Sequence, residues 1–216
     1  MKTESGTPIE NQPSALAGFT DIYAAGNPPW DIDKPQPPFI AIADQVMSPL
    51  LDSGCGKGTT SLFFAAKGYQ VTGIDFVELA IQQARARATE RNLSVSFLVK
   101  DAMTLTEWDA QFASVIDSGL FHIYPAGKER QQYVQGLKHV LVPGGRLFLF
   151  SFRDHPSAPG GGVSNQELRE AFADGWEVES VELSDGEMNP VFAAEFPNAF
   201  PKDEPIMWFA IIRRTE

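Results

Sequence analysis

The stretch best equipped for chemistry is residues 50–60, "LLDSGCGKGTT": an apolar run, the acid Asp52, glycines at 54, 56 and 58, then two hydroxyls. Glycine-rich turns after a buried strand serve phosphates, dinucleotides and sulfonium nucleosides alike, because a missing β-carbon lets the backbone approach the ligand. A phosphate loop G-x-x-x-x-G-K-[ST] aligned on Gly56 and Lys57 puts Leu51 at its first glycine and Gly58 at its hydroxyl, so that reading fails. The dinucleotide fingerprint G-x-G-x-x-G is weakened, since its third glycine falls on Thr59. Further acids follow other apolar runs: Asp75 closes "VTGID", Asp101 follows "FLVK" and Asp117 closes "SVID". A carboxylate at 75 can accept both ribose hydroxyls, as in NAD enzymes among others. His122, just past Asp117, has an ordinary pKa of ~6.5 that suits a general base, although it could equally bond to its own loop and shape a pocket. Phe121 and Tyr124 beside it suggest a pocket for a flat aromatic molecule, or simple packing. His122, His139 and His155 are too scattered for a metal site, and H-E-x-x-H and C-x-x-C are absent.

These residues need strands that end along one edge. The patterns predict strands at 50–53, 70–75, 94–99, 112–117, 145–152, 177–184 and 206–214, with helices at 39–47, 59–67, 77–92, 128–140 and 165–176. Alternation of this kind means βαβ units, hence an α/β fold with a parallel sheet and helices on both faces. Ligands of such sheets sit beyond the carboxyl ends of the strands, where Asp75, Asp101 and Asp117 are expected. "LVPGG" (141–145) should stop a helix before the fifth strand. Residues 154–164, "DHPSAPGGGVS", are long and glycine-rich enough for a lid. Residues 1–18 are polar and expected to fray, and 19–216 read as one domain. Prolines at 28, 29, 35, 37 and 38 predict an extended or turning segment over 19–38, whose Trp30 requires cover.

The 216 residues carry a net charge of −11, which repels phosphate backbones and argues against nucleic acid as a partner. Cys55 is the sole cysteine, so no intramolecular disulfide can form. The N-terminus lacks a signal-peptide pattern and no apolar run reaches the ~18 residues of a membrane span, so a cytoplasmic protein without a membrane partner is expected, as a monomer or weak homodimer.

Together, the turn at 52–58 and the acids at 75, 101 and 117 resemble class I S-adenosylmethionine (SAM)-dependent methyltransferases, whose motif I has this form. The resemblance implies a Rossmann-like, mostly parallel seven-stranded sheet with an antiparallel last strand. It also implies SAM as cofactor, S-adenosylhomocysteine (SAH) as product and a small-molecule methyl acceptor, with no metal. Asp52, Gly54 and Gly56 would meet the methionine moiety, Asp75 and Phe76 the ribose side, Asp101 and Ala102 the adenine, and Asp117 would lie near the reacting methyl. Although "NPPW" (27–30) is similar to the [DN]-P-P-[YFW] signature of base-amine methylation, it stands before the first strand rather than after the fourth. "NPPWDIDKPQPPF" followed by motif I instead resembles the N-terminal lid of the thiopurine methyltransferase superfamily. By that resemblance Phe19 and Tyr23, which share a face on a helical turn, flank the cofactor, and Trp30 lies between cofactor and acceptor. The alternative for Trp30 is a core anchor for the proline-rich arm. The implied acceptor is an aromatic or heterocyclic O, S or N atom; a halide or thiol acceptor and a SAM-binding protein without turnover are the alternatives.

Overall fold

The computed structural model describes residues 15–26, 28–156, 158, 162–195 and 204–216. Seven strands form one sheet: β1 (Leu50–Ser53), β2 (Val71–Asp75), β3 (Ser96–Val99), β4 (Phe112–Ser118), β5 (Leu141–Phe152), β6 (Trp176–Ser184) and β7 (Met207–Arg214). Their order is β3-β2-β1-β4-β5-β7-β6, and only β7 runs antiparallel to the others. The chain builds outward from β1 to β3, then returns to place β4 on the other side of β1. That reversal opens a crevice at the strand tips. Register brings the tips level, with Ser53 beside both Ile74 and Asp117, and Asp75 beside Val99.

Successive strand residues face opposite sides, so each apolar pair feeds two cores. Leu51, Val115 and Leu147 pack with Tyr133, Leu137 and Val140 of α5 (Lys128–Val140) and with Leu168 of α6 (Asn165–Ala171). Leu50, Ile116 and Phe148 pack on the other face with Phe64 of α3 (Thr59–Ala66), Phe209, and Phe39 of α2 (Pro37–Ala41). Helix α4 (Glu78–Glu90) turns Ile81, Ala84 and Ala88 toward Phe97 and Leu62.

The arm departs from the extended reading: α1 (Ala15–Ala24) is helical through Phe19 and Tyr23, because the first proline of the arm comes only at 28. The helix expected over 39–47 is instead α2 with a proline in its first turn, followed by a 3₁₀ turn at Ala43–Gln45. "LVPGG" lies within β5: Leu141 pairs with Phe112 and Arg146 with Ser114, so the intervening residues bulge, with Gly144 at φ +80°. The helix expected over 165–176 ends at Ala171, and α7 (Pro190–Glu195) was not anticipated. Part of the expected lid at 154–164 lies outside the described residues, as does 1–14 of the fraying N-terminus. The described ends of that loop are pinned down. Asp154 donates to the Val163 carbonyl, Trp208 Nε1 donates to the same oxygen, and Val163 is fully buried. None of the described residues of 154–164 borders the central cavity.

Candidate active site

A cavity of about 790 Å³ lies over the carboxyl edge of the sheet. On the β1–β3 side its wall is the glycine turn with Asp52, Asp75, Phe76, Asp101 and Ala102. The turn needs glycine for stated reasons. Gly54 and Gly56 have φ of +72° and +52°; a β-carbon on Gly54 would lie 3.1 Å from the Leu120 side chain, and one on Gly56 would lie 2.7 Å from the Tyr23 hydroxyl. Asp75 clamps the turn from the next strand, accepting the Gly56 amide at 3.0 Å on Oδ2 and the Val77 amide at 2.9 Å on Oδ1. Each carboxylate oxygen retains a lone pair after those bonds, and the residue borders the cavity, so two further hydroxyls can be accepted.

Asp52 is buried and accepts a bond from Ser61 Oγ at 2.6 Å. Burial, with the neighbouring Asp75 and Asp117 carboxylates, pushes its pKa up to about 6, while the Ser61 bond opposes the shift. Burial raises Asp75 as well, against the pull of the Val77 and Gly56 amides. Asp52, Asp75 and Asp101 on this wall face only Lys57, which is paired with Asp31, and Lys100, which lies over the Trp108 ring, so the wall complements a cationic ligand, and hydroxyl acceptors beside it suit a ribose. The residues present therefore fit SAM, whose ammonium and sulfonium are the charges such a wall lacks.

The N-terminal segment roofs this half. Phe19 stands edge-on to Phe76 at 5.8 Å, and Trp30 lies 5.8 Å from Phe19 and 6.0 Å from Tyr23 between ring centres. Tyr23 is buried against Val77 and Ala80, tying α1 to the start of α4. Trp30 borders the cavity and is 41% exposed, which removes the core-anchor alternative. Its neighbour Asp31 fixes the arm to the glycine turn and to α4: its carboxylate meets Lys57 Nζ at 2.6 Å and Arg87 Nη1 at 3.7 Å, and accepts from Thr59 Oγ1 at 3.0 Å.

Past β4, two buried groups shape the loop carrying His122. Asp117 accepts the amides of Leu120 and Phe121 at 2.8 and 3.2 Å and the Tyr133 hydroxyl at 2.8 Å. Arg130 donates to the Tyr124 carbonyl at 3.1 and 3.0 Å. His122 thereby borders the cavity with its ring edge-on to Phe152 at 4.9 Å, and its Nδ1 is buried without a hydrogen-bond partner. Burial, then the nearby Arg130 charge, lower its pKa to about 4. The expectation of an ordinary imidazole base is corrected accordingly: His122 is neutral at pH 7 and a weak proton acceptor.

Two other expectations need correction. Asp117 does not border the cavity, because its carboxylate is fully buried and spent on Leu120, Phe121 and Tyr133. Phe121 does not line a substrate pocket either; it is fully buried, tilted against Phe172 at 5.4 Å and under the Arg130 guanidinium at 5.2 Å. Tyr124, Asp101 and Ala102 do border the cavity, with Asp101 also capping a 3₁₀ turn through the Met103 amide. Sequence reasoning missed the far half of the cavity, where Phe150, Phe152, Ile206 and Met207 of β5, β7 and its approach join Met188 and Phe192. Among the described residues no group of His, Cys, Asp or Glu could hold a metal, and no helix is long and apolar enough to cross a membrane.

Comparisons with known proteins agree with this geometry. Residues 50–145 match the methyltransferase domain family. The chain is 35% identical over 175 residues to a 2-heptyl-1-hydroxyquinolin-4(1H)-one methyltransferase of Mycobacteroides abscessus, covering 78% of this chain and 77% of the relative. A solved structure described by the conversion of a disulfide bond into a thioacetal group during echinomycin biosynthesis superposes with TM-score 0.80 at 31% identity, covering 93% of each chain. The N-methyltransferase NodS from Bradyrhizobium japonicum in complex with SAH shares the fold, with TM-score 0.63 at 20% identity over 82% of this chain and 83% of that one. The chain belongs to the class I SAM-dependent methyltransferases.

Proposed function

We propose that this enzyme methylates an O, S or N atom of a small, flat, largely apolar molecule seated over β4, β5 and β7, with SAM held over β1–β3. The observation that carries the reading is the division of one cavity. Its β1–β3 side is built from carboxylates and a glycine turn, whereas the other side has an apolar floor of Phe150, Phe152, Ile206 and Met207 with the neutral His122, and carries Asp185, Glu187 and Glu204 at its border. A volume of about 790 Å³ falls in the upper part of the ~300–1,000 Å³ range of small-molecule sites and is more than a lone halide beside SAM would call for. Motif I with the "PWDIDKPQP" arm supports placing the chain near the thiopurine methyltransferase superfamily.

SAM supplies an electrophilic methyl group, so the protein's task is alignment in a dry site. Asp75 accepts hydroxyl protons at its two oxygens, Asp52 offers a negative charge, and Phe19, Tyr23 and Trp30 exclude water from above. His122, neutral and on the cavity wall, offers its imidazole for a hydrogen bond from the acceptor's O–H or S–H. With a pKa near 4 the imidazole is a poor permanent home for that proton, which favours acceptors that ionise readily, such as a phenol, a hydroxyquinolone or a thiol. The M. abscessus relative is named for a hydroxyquinolone substrate, and the echinomycin-biosynthesis structure for chemistry at sulfur, both in keeping with this preference.

Incubation with SAM and, in separate reactions, 2-heptyl-1-hydroxyquinolin-4(1H)-one, a simple thiol, a phenol and iodide tests the reading through SAH release. Turnover fastest with the hydroxyquinolone, phenol or thiol supports it. Turnover with iodide alone contradicts it.

A further inference from the structure

The roof over the acceptor half is made from two segments more than 150 residues apart, joined by hydrogen bonds. Asn189 donates its amide to the Pro29 carbonyl at 2.8 Å and its side-chain Nδ2 to the Asp31 carbonyl at 2.9 Å. Gln36 closes a reciprocal pair with Glu187, its Nε2 donating to the Glu187 carbonyl at 2.9 Å while its Oε1 accepts the Glu187 amide at 2.8 Å. Lys34 adds an exposed ion pair to Glu187 at 2.8 Å. The clasped segment sits over β5 and β7, since a β-carbon on Gly186 would lie 3.0 Å from Met207 and 3.6 Å from Phe150. Met188, Phe192 and Ala193 border the cavity from it.

The same short arm grips the donor side. The Asp31 side chain holds Lys57 and Thr59, at the glycine turn and the first residue of α3, while its carbonyl holds Asn189. Lys57 also donates to the Gly26 carbonyl at 3.2 Å. One residue therefore touches both halves through different atoms: a buried ion pair faces the donor turn and the main chain faces the acceptor roof. Such a pair is sensitive to its surroundings, because its Coulomb gain is set against desolvation.

We propose that Asn189 and Gln36 are positioning residues that hang the acceptor wall, Met188 and Phe192, on the proline-rich arm, and that Asp31 makes the order of this wall depend on occupancy of the donor turn. This rests on the proposed placement of SAM in the β1–β3 half. The consequence is coupled binding: a ligand that immobilises the glycine turn immobilises segment 186–195 with it, so the acceptor meets a formed wall only after the donor is in place.

Amide hydrogen exchange of the full chain, with and without saturating SAH, tests this directly. In the wild type SAH should slow exchange at least about 5-fold in both 28–36 and 186–195. In Asn189→Ala, SAH should bind with an affinity within about 2-fold of wild type and protect 28–36, while 186–195 exchanges fast with or without it. Gln36→Ala, which removes the other end of the clasp, should give the same split, and thermal melts of both variants report whether each is folded. Protection confined to 28–36 in the wild type would overturn the coupling, as would wild-type protection of 186–195 in both variants. Absence of SAH binding by calorimetry would instead overturn the donor reading and the coupling built on it.

Discussion

The Tyr23 hydroxyl stands 2.7 Å from the point where a β-carbon on Gly56 would lie, so the N-terminal helix fills the space that the glycine turn leaves open. Gly56 is also at φ +52°, a conformation costing roughly 1–2 kcal/mol for a residue with a β-carbon. Gly56→Ala should lower SAM affinity at least ~10-fold and destabilise the fold by about 1–3 kcal/mol, read by calorimetric titration and chemical denaturation. Adding Tyr23→Phe removes the clashing hydroxyl but not the backbone strain, so the double variant should recover part of the stability, with a coupling of ~0.5–3 kcal/mol expected for side chains in contact.

Asp52 is a buried acid whose pKa of about 6 exceeds the unfolded value of 3.8. A raised folded-state pKa means that the folded state holds the extra proton between those values. The stabilisation it provides is full below pH ~4 and lost as pH rises through ~6. Asp52→Asn should therefore stabilise the ligand-free enzyme at pH 8, by an amount on the order of 1–3 kcal/mol, while weakening SAM binding. Wild-type binding near pH 6 should release protons as the ligand's positive charges draw Asp52 into its ionised form. Titrations in buffers of different ionisation enthalpy measure that release, which should vanish at pH 8.

His122 carries the opposite sign. Its pKa falls from 6.5 to about 4 on folding, so its contribution to stability is full above pH ~6.5 and lost as pH falls through ~4. His122→Asn should flatten the acid limb of the stability profile between pH 4 and 6.5. The same variant should lower kcat/KM by ~10–100-fold without removing an ionisation near pH 6.5, because the wild-type profile has none from this group. A wild-type profile with an apparent pKa near 6.5 that disappears in the variant would contradict the assignment.

Much of the β1–β3 wall of the cavity was legible because it is local. The glycines at 54 and 56, Asp75 and Phe76 sit next to apolar runs, and a turn between a buried strand and a helix leaves few conformations open. Asp117 misled because a strand-end acid reads the same whether it faces a cavity or a helix. Pleat alternation puts Asp117 on the side of Val115, which packs against α5, and there Tyr133 waits for it. Phe121 misled likewise, since its partners Phe172 and Arg130 come from the C-terminal cap of α6 and from α5. Asp31, Asn189 and Gln36 carried no local signal at all: their meaning lies in partners more than 150 residues away.

The acceptor wall offers a specificity experiment. Phe192→Ala and Met188→Ala enlarge the cavity over β5 and β7 without touching the glycine turn. Each should raise KM for the preferred acceptor ~5–30-fold, in line with the loss of about 1–2 kcal/mol of apolar contact, and leave KM for SAM within about 2-fold. Bulkier acceptors should lose less than compact ones, as steady-state kinetics across an acceptor series will report.

The most direct test of the central claim is calorimetric titration of SAH into the wild type and Asp75→Ala. The wild type should bind one SAH per chain, and the variant should lose ~1.5–3 kcal/mol of affinity through missing charged hydrogen bonds to the ribose. Equal affinity in the two proteins, or no heat from well-folded wild type, would contradict it.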